Sequence, residues 1–337
     1  MIACRKAEIQ ISFLSTSNRQ SFMEVITFLD RSTLLAPLRQ ANFIHVWREY
    51  PFTQSAELID RIEDATVLIT NKVQLTAEVL NHAPNLKFVA ACATGANHID
   101  LEVCRKRSIP VSNIRDYAVH AVPEHTLMLL FALARNLLSY REDLRAGAWH
   151  KATSFCLTTH PIRDLAGMVL AVVGMGSLGH RVAHLAKQIG MTVWQVERKN
   201  ATVVRKGYVS WQRAIQEADA ITLHCPLNNE THHLIGNAEL QAMKKDVLLI
   251  NTSRGGLIDE VALARALQSN QLGGVGLDVL REEPPTAGNP LLDMNLPNLI
   301  ITPHNAWTSA GAMSQMAEQL IQNLEAFAGG IPRNRVA

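Results

Sequence analysis

From residue 25 the chain alternates short β-branched, apolar runs with stretches whose apolar positions recur at helical spacing. The runs at 25–29, 66–70, 86–90 and 110–112 predict strands. The stretches at 55–62, 76–81 and 101–106 predict helices, the first two opened by Ser55 and Thr76 as caps. Such alternation implies a parallel sheet wrapped by helices. The rhythm then breaks. Residues 121–145 form one long helical pattern, apolar nearly all round between Leu127 and Leu138, as expected for a helix buried between domains or in a subunit interface. Gly147 ends it, and 148–163 carry no clear period and predict a loop. A second α/β series starts at Met168. It predicts a strand at 169–173, a glycine turn, a helix at 178–189 and a strand at 192–196. Further strands follow at 220–224, 247–251, 274–278 and 299–302, with helices at 259–269 and 309–328. Residues 1–22 fit this pattern poorly and are expected to be a weakly packed extension ahead of a natural start at Met23.

Composition narrows the class. A chain of 337 residues exceeds one ordinary core and predicts two domains. Apolar residues are 47% and charged residues 18%, a well-cored globular balance. The formal net charge of +2 comes from 32 basic and 30 acidic side chains spread along the chain, with no basic block, so nucleic acid is not an expected partner. The longest apolar run, 127–134, is far short of the roughly 20 residues that span a bilayer, so no membrane association is expected. Five scattered cysteines (Cys4, Cys92, Cys104, Cys156, Cys225) show neither zinc spacing nor a disulfide framework, and read as reduced thiols of a cytoplasmic protein.

The glycine turn is Gly174-Met-Gly-Ser-Leu-Gly179. Alone, such a pattern is weak. Here it follows a continuous apolar strand and opens a helix with an apolar face, the context a dinucleotide site requires. Gly174 permits the tight turn, Gly176 lets the backbone approach a pyrophosphate, and Gly179 lets helix pack on strand. The helix start near Ser177 directs unpaired N–H groups and the positive end of its dipole at the phosphates. Eighteen residues beyond Gly179 stands Glu197, placed to accept hydrogen bonds from ribose hydroxyls and to repel a 2′-phosphate. That favours NAD. The adjacent Arg198 and Lys199 leave NADP as an alternative. His180 and His184, four apart on the same helix, have metal-ligand spacing but no third ligand, and predict a solvated helix face rather than a metal site.

Three further residues stand where strands end: Arg254 in Asn251-Thr-Ser-Arg-Gly-Gly, Glu283 in Arg281-Glu-Glu-Pro-Pro, and His304 in Thr302-Pro-His-Asn-Ala-Trp. In an open parallel sheet, ligands bind beyond the carboxyl ends of the strands, so these residues are expected to converge on one crevice. A fixed cation, a carboxylate and a histidine behind a nucleotide loop supply what reduction of a 2-oxo acid requires.

These four motifs, in this order and at this spacing, are similar to those of the D-isomer-specific 2-hydroxyacid dehydrogenases, and the resemblance runs from about Glu24 to the C-terminus. Ala93-Thr-Gly-Ala-Asn and Pro303-His-Asn-Ala-Trp resemble the glycerate dehydrogenase/hydroxypyruvate reductase branch, as does Phe155-Cys-Leu with Pro161-Ile-Arg-Asp-Leu-Ala-Gly. The resemblance implies two parallel-sheet α/β domains, Rossmann-like and flavodoxin-like, with a cleft between them. Residues 23–118 plus 305–337 would form the substrate domain and 119–304 the coenzyme domain, in a homodimer joined through the 121–145 region. It implies that Arg254 binds the substrate carboxylate and polarises its C2 carbonyl, with the backbone amides of Thr94 and Gly95 completing carboxylate capture. His304 would be the general acid, suited by an unperturbed histidine pKa of about 6.5. Glu283 would orient the imidazole and favour its charged form. Ser177 and Leu178 are expected at the pyrophosphate and Glu197 at the ribose. Cys225, Pro226 and Thr231 would line the adenine and ribose side, and Thr252 and Asp278 the nicotinamide half. The expected reaction is hydride transfer between a nicotinamide cofactor and a small 2-oxo or D-2-hydroxy acid, by hydroxypyruvate or glyoxylate reduction or D-glycerate oxidation. The alternatives are a relative acting on phosphoglycerate or a lactate-like acid, and a dinucleotide-sensing regulator on the same fold.

Overall fold

The computed structural model describes residues 23–337, so the expectation for 1–22 lies outside the described residues. The chain divides into two compact units, one running to Tyr117 and resuming over Ser309–Ala337, the other spanning Ala118–Thr308.

The first unit opens with β1 (Glu24–Phe28), β2 (His45–Glu49), α1 (Ser55–Ile62), β3 (Val67–Thr70) and α2 (Ala77–Asn81). It continues with β4 (Phe88–Ala91), α3 (Leu101–Lys106) and β5 (Val111–Ser112). Its five strands are parallel in the order β2-β1-β3-β4-β5. β3 and β4 are buried at every position, which is why they stand out in the sequence as unbroken apolar runs. β2 has no such signal, because only its first two residues are buried and it pairs with β1 alone. Thr76 caps α2 as expected, accepting from the Val79 amide. Ser55 does not cap α1. Gln54 takes that place, its backbone amide donating to the Glu57 carboxylate at 3.1 Å, and leaves Ser55 inside the first turn.

The second unit begins with α4 (Ala121–Ala134) and α5 (Leu137–Arg145), then β6 (Val169–Val173), α6 (Ser177–Gln188), β7 (Thr192–Val196) and β8 (Tyr208–Val209). There follow α7 (Trp211–Glu217), β9 (Ala220–Leu223), α8 (Asn237–Ala242), β10 (Leu248–Asn251), α9 (Glu260–Gln268), β11 (Gly274–Leu277) and β12 (Leu299–Ile301). The chain then returns to the first unit as α10 (Ala310–Ala328), capped by Ser309, where Phe327 stacks on Phe88 of β4 with ring centres 4.6 Å apart. The seven strands of the second unit are parallel in the order β12-β11-β10-β9-β6-β7-β8. Strand order reverses between β6 and β9, the place where an open sheet of this kind leaves a crevice for a ligand.

The single long helix expected over 121–145 is two helices. Asn136 adopts the left-handed conformation (φ +48°) and ends the first, and α5 begins at Leu137. Asparagine tolerates this region better than most residues, and apolar periodicity carries no trace of it. α4 packs on the sheet through Leu129 and Leu133, and the contact depends on glycines in β11. A Cβ at Gly276 would lie 2.9 Å from Ile250 Cδ1 and 3.0 Å from Leu129 Cβ. Gly276→Val is expected to cost ~1–3 kcal/mol by overpacking. Chemical denaturation checks this, and a loss of less than about 0.5 kcal/mol would show that α4 yields freely. Among the described residues no helix is long and apolar enough to cross a membrane.

Candidate active site

In the second sheet one register row runs across six strands. Val173 of β6 pairs with Val196 of β7 and Leu223 of β9; Leu223 pairs with Asn251, Asn251 with Leu277, and Leu277 with Ile301. One step past this row stand Gly174, Glu197, His224, Thr252, Asp278 and Thr302. Adjacent strands lie about 4.8 Å apart, so the ends of β10, β11 and β12 fall within about 10 Å of one another. Arg254, Glu283 and His304 leave from those three ends. Sheet register is what gathers residues up to 50 positions apart.

His304 Nδ1 lies 2.6 Å from Glu283 Oε2, and the other carboxylate oxygen accepts from the Leu280 amide at 2.8 Å. The ring is thereby oriented from one side, and no described residue bonds to Nε2. The backbone of His304 has φ +51°, a conformation uncommon for residues other than glycine. It is held there by its amide, which donates to the carbonyl oxygens of Asp278 at 2.8 Å and Thr302 at 3.0 Å. The Asp278 side chain, 1% exposed, pins the same loop, accepting from Thr302 Oγ1 at 2.6 Å and from the amides of Asn305 and Ala306 at 3.0 and 2.9 Å. Non-glycine residues kept in such conformations concentrate where function needs a side chain aimed.

Sequence reasoning missed two residues that brace the strand ends of the site. His125 of α4 donates through Nε2 to Thr302 Oγ1 at 2.9 Å, since the threonine hydroxyl proton is committed to Asp278. Burial lowers the His125 pKa, and the nearby Asp278 carboxylate opposes that shift. Thr126, the next residue, shares a hydrogen bond of 3.0 Å with the buried Thr252. Both were hidden in a helix whose composition spoke only of packing. Arg254 is aimed by Asn251, whose side chain donates to the Arg254 carbonyl at 2.9 Å and accepts from the Ser253 amide at 3.0 Å. The guanidinium Nη1 donates to the Ser253 carbonyl at 2.7 Å, and the residue is half-buried.

At the β6 end of the row, Gly174 has φ +96°, and a Cβ there would lie 2.6 Å from the Cys225 amide nitrogen. Gly179 passes so close to the Gly174 carbonyl that a Cβ would overlap it. A Cβ on Gly176 would instead meet nothing within 4 Å. Gly176 also caps α6 without any side chain bonding to the first turn, so the helix presents free donors beside open space. Ser177 and Leu178 form that first turn. Next to it lies a pocket of about 940 Å³, lined among others by Gly174, Gly176, Glu197, Cys225, Pro226 and Thr231. These residues fit the diphosphate and adenosine portions of a dinucleotide. Burial pushes the Cys225 thiol up to about 11, so it is a neutral wall of the pocket. Thr231 Oγ1 donates to the Pro226 carbonyl at 2.7 Å, fixing the turn between them. His224, whose pKa burial drives down to about 4, also lines the pocket as a neutral ring.

Glu197 departs from its expected posture. It is buried, and its carboxylate, held down to about 2 by the Arg205 guanidinium and the Arg198 amide, forms a two-pronged pair with Arg205 at 2.6 and 2.8 Å. Arg205 carried no signal in the sequence, lying eight positions away across a loop without period. Thr252 and Asp278 do not line the pocket. Thr94 and Gly95 belong to the first unit, just past β4, where the Thr94 hydroxyl donates to the Ile114 carbonyl and the Thr94 carbonyl accepts from Asn113. His180 and His184 are exposed, and no group of three or more metal-binding side chains occurs among the described residues.

A parallel sheet with a glycine turn fitted to a dinucleotide, and beside it an arginine and a carboxylate-held histidine, defines a nicotinamide-linked oxidoreductase. Comparison with known proteins gives the family. Residues 127–306 match the NAD binding domain of the D-isomer specific 2-hydroxyacid dehydrogenases. The chain is 42% identical to a glycerate dehydrogenase of Methylorubrum extorquens over 312 residues, covering 92% of this chain and 98% of that protein. It is 33% identical to a hydroxypyruvate reductase of Blautia hydrogenotrophica, covering 86% and 91%. The crystal structure of the TT0316 protein from Thermus thermophilus superimposes with a TM-score of 0.79 at 34% identity, covering 94% of this chain and all of that one. The chain belongs to the D-isomer specific 2-hydroxyacid dehydrogenase family.

Proposed function

We propose that the enzyme reduces a small 2-oxo acid, hydroxypyruvate or glyoxylate, to the D-2-hydroxy acid with NADH, and oxidises D-glycerate in the reverse direction. The observation that carries this reading is the 2.6 Å pairing of His304 Nδ1 with Glu283 at the end of the strand row that also ends in Arg254. The names of the similar glycerate dehydrogenase and hydroxypyruvate reductase support the choice of acid.

Bound nicotinamide supplies or accepts the hydride. Arg254 holds the substrate carboxylate with its planar, permanently charged fork and draws electron density from the C2 carbonyl. His304, held through Nδ1, delivers a proton from Nε2 to the carbonyl oxygen during reduction and removes it during oxidation. Glu283 keeps the ring oriented and stabilises its protonated form. Asp278 acts as a positioning residue, fixing the loop that aims His304. In this reading the second unit is the coenzyme domain and the first the substrate domain.

The same reading makes the enzyme a cytoplasmic homodimer. Met128 and Phe131 of α4 and Leu137 and Leu144 of α5 are exposed large apolar side chains in the 121–145 region, a surface suited to a second copy. Phe131→Asp is expected to shift the mass in light scattering from dimer to monomer; an unchanged mass would place the interface elsewhere.

The function is tested by following absorbance at 340 nm with NADH and a panel of hydroxypyruvate, glyoxylate, pyruvate and a branched 2-oxo acid. The first two are expected to give the highest kcat/KM. No oxidation with any acid would overturn the proposal.

A further inference from the structure

We propose that Arg205 is a specificity residue that opens the ribose end of the coenzyme pocket to a 2′-phosphate, so that the enzyme takes NADPH as well as NADH. This rests on the dinucleotide reading of the pocket and extends it. A carboxylate at the end of the second strand discriminates against NADPH in two ways: it accepts hydrogen bonds from the ribose hydroxyls, and its charge repels the phosphate. Both require open oxygens and an uncompensated charge.

Glu197 has neither. Oε1 accepts from the Arg198 amide at 3.0 Å and from Arg205 Nη2 at 2.8 Å, while Oε2 accepts from the Arg205 amide at 3.2 Å and from Arg205 Nε at 2.6 Å. A carboxylate offers about four acceptor sites, so these four donors fill it. The side chain is about 5% exposed, whereas the Arg205 side chain is 58% exposed. The pocket wall here is therefore shared by a carboxylate whose acceptor sites are filled and the more exposed guanidinium that fills them. That guanidinium is fixed from two sides, by Glu197 and by the Tyr208 ring, whose centre lies 3.9 Å away. No described residue bonds to its Nη1.

The neighbouring cations divide unequally. Lys199 is engaged with Glu239 at 2.7 Å and with the Leu234 carbonyl at 3.3 Å. The Arg198 side chain is exposed and makes no ion pair among the described residues. Arg198, Lys199 and Arg205 all line the pocket; its other carboxylate, Glu230, belongs to the turn after β9 rather than to this loop. With Glu197 cancelled by Arg205 and Glu239 by Lys199, Arg198 leaves this loop cationic. A dianionic phosphate there would find two guanidinium groups, the side chain best matched to phosphate geometry.

Binding measured without turnover separates this inference from the reaction. ADP-ribose and 2′-phospho-ADP-ribose are titrated calorimetrically into the wild-type protein, Arg205→Gln and Arg205→Lys. The wild type is expected to bind the two nucleotides within about tenfold of each other. Arg205→Gln, which frees the Glu197 charge, is expected to weaken the phosphorylated nucleotide at least 30-fold relative to ADP-ribose, and Arg205→Lys is expected to restore part of that ratio. A wild-type preference for ADP-ribose beyond 100-fold would overturn the inference and leave the proposed function standing. Equal weakening of both nucleotides in Arg205→Gln, with no recovery in Arg205→Lys, would overturn it as well by reducing Arg205 to a brace. Failure of the wild type to bind either nucleotide would instead overturn the dinucleotide reading itself.

Discussion

Replacing His304 with asparagine is expected to lower kcat by about 10³-fold, while the affinity for NADH stays within about threefold. General acid catalysis by a placed side chain contributes roughly 10²–10⁴-fold, and no other described group bonds to Nε2 to take over the proton. Asparagine is the informative replacement, because His304 sits at φ +51° and asparagine accepts that conformation with little strain. An alanine would add a backbone penalty and blur the result. NADH affinity should survive because the glycine turn and the coenzyme pocket lie at the β6 end of the strand row, whereas His304 follows β12 at the far edge of the sheet. Steady-state kinetics and fluorescence titration of NADH give the two numbers. A variant that retains more than a tenth of the wild-type kcat would remove His304 from the chemistry.

Arg254→Lys is expected to be nearly as damaging, with kcat/KM for the 2-oxo acid falling on the order of 10³-fold and much of the loss appearing in KM. The charge is conserved but the fork is not: an ammonium cannot hold a carboxylate with two parallel bonds while polarising the neighbouring carbonyl. The backbone at this position should be unmoved. Asn251 still holds the residue-254 carbonyl, and Gly255 still packs directly against the Leu280 carbonyl, where no side chain would fit. Circular dichroism checks that the fold persists. A lysine variant within tenfold of wild type in kcat/KM would mean that only the charge matters, and that carboxylate recognition lies elsewhere.

How much of this was legible in the sequence follows from burial. β6, β9, β10 and β11 lie inside the sheet and are buried along nearly their whole length, so each appeared as an apolar run whose end could be read to within a residue or two. Gly174 and Arg254, which stand just past the ends of β6 and β10, were legible for the same reason. The strands that failed to show, β2 and β8, are edge strands with few or no buried positions. The break at Asn136 was invisible because a left-handed residue leaves apolar spacing intact on either side. The support of the site was less legible than the site. His125 and Thr126 were indistinguishable from other core positions of α4, although they reach Thr302 and Thr252. The Glu197–Arg205 pair joins the end of β7 to an irregular segment, and pairing across irregular backbone has no period to betray it. The carboxylate read from sequence at the ribose end does line the pocket, but its oxygens are engaged by its own loop.

The central claim, reduction of a 2-oxo acid to the D-hydroxy acid at a site built on Arg254, Glu283 and His304, is tested most directly by the product. Hydroxypyruvate and NADH are incubated with the enzyme until absorbance at 340 nm is exhausted, and the glycerate is resolved on a chiral column. The account predicts one D-glycerate for each NADH oxidised, with none formed by the His304→Asn variant over the same time. Formation of L-glycerate, or undiminished D-glycerate formation by the variant, would contradict it.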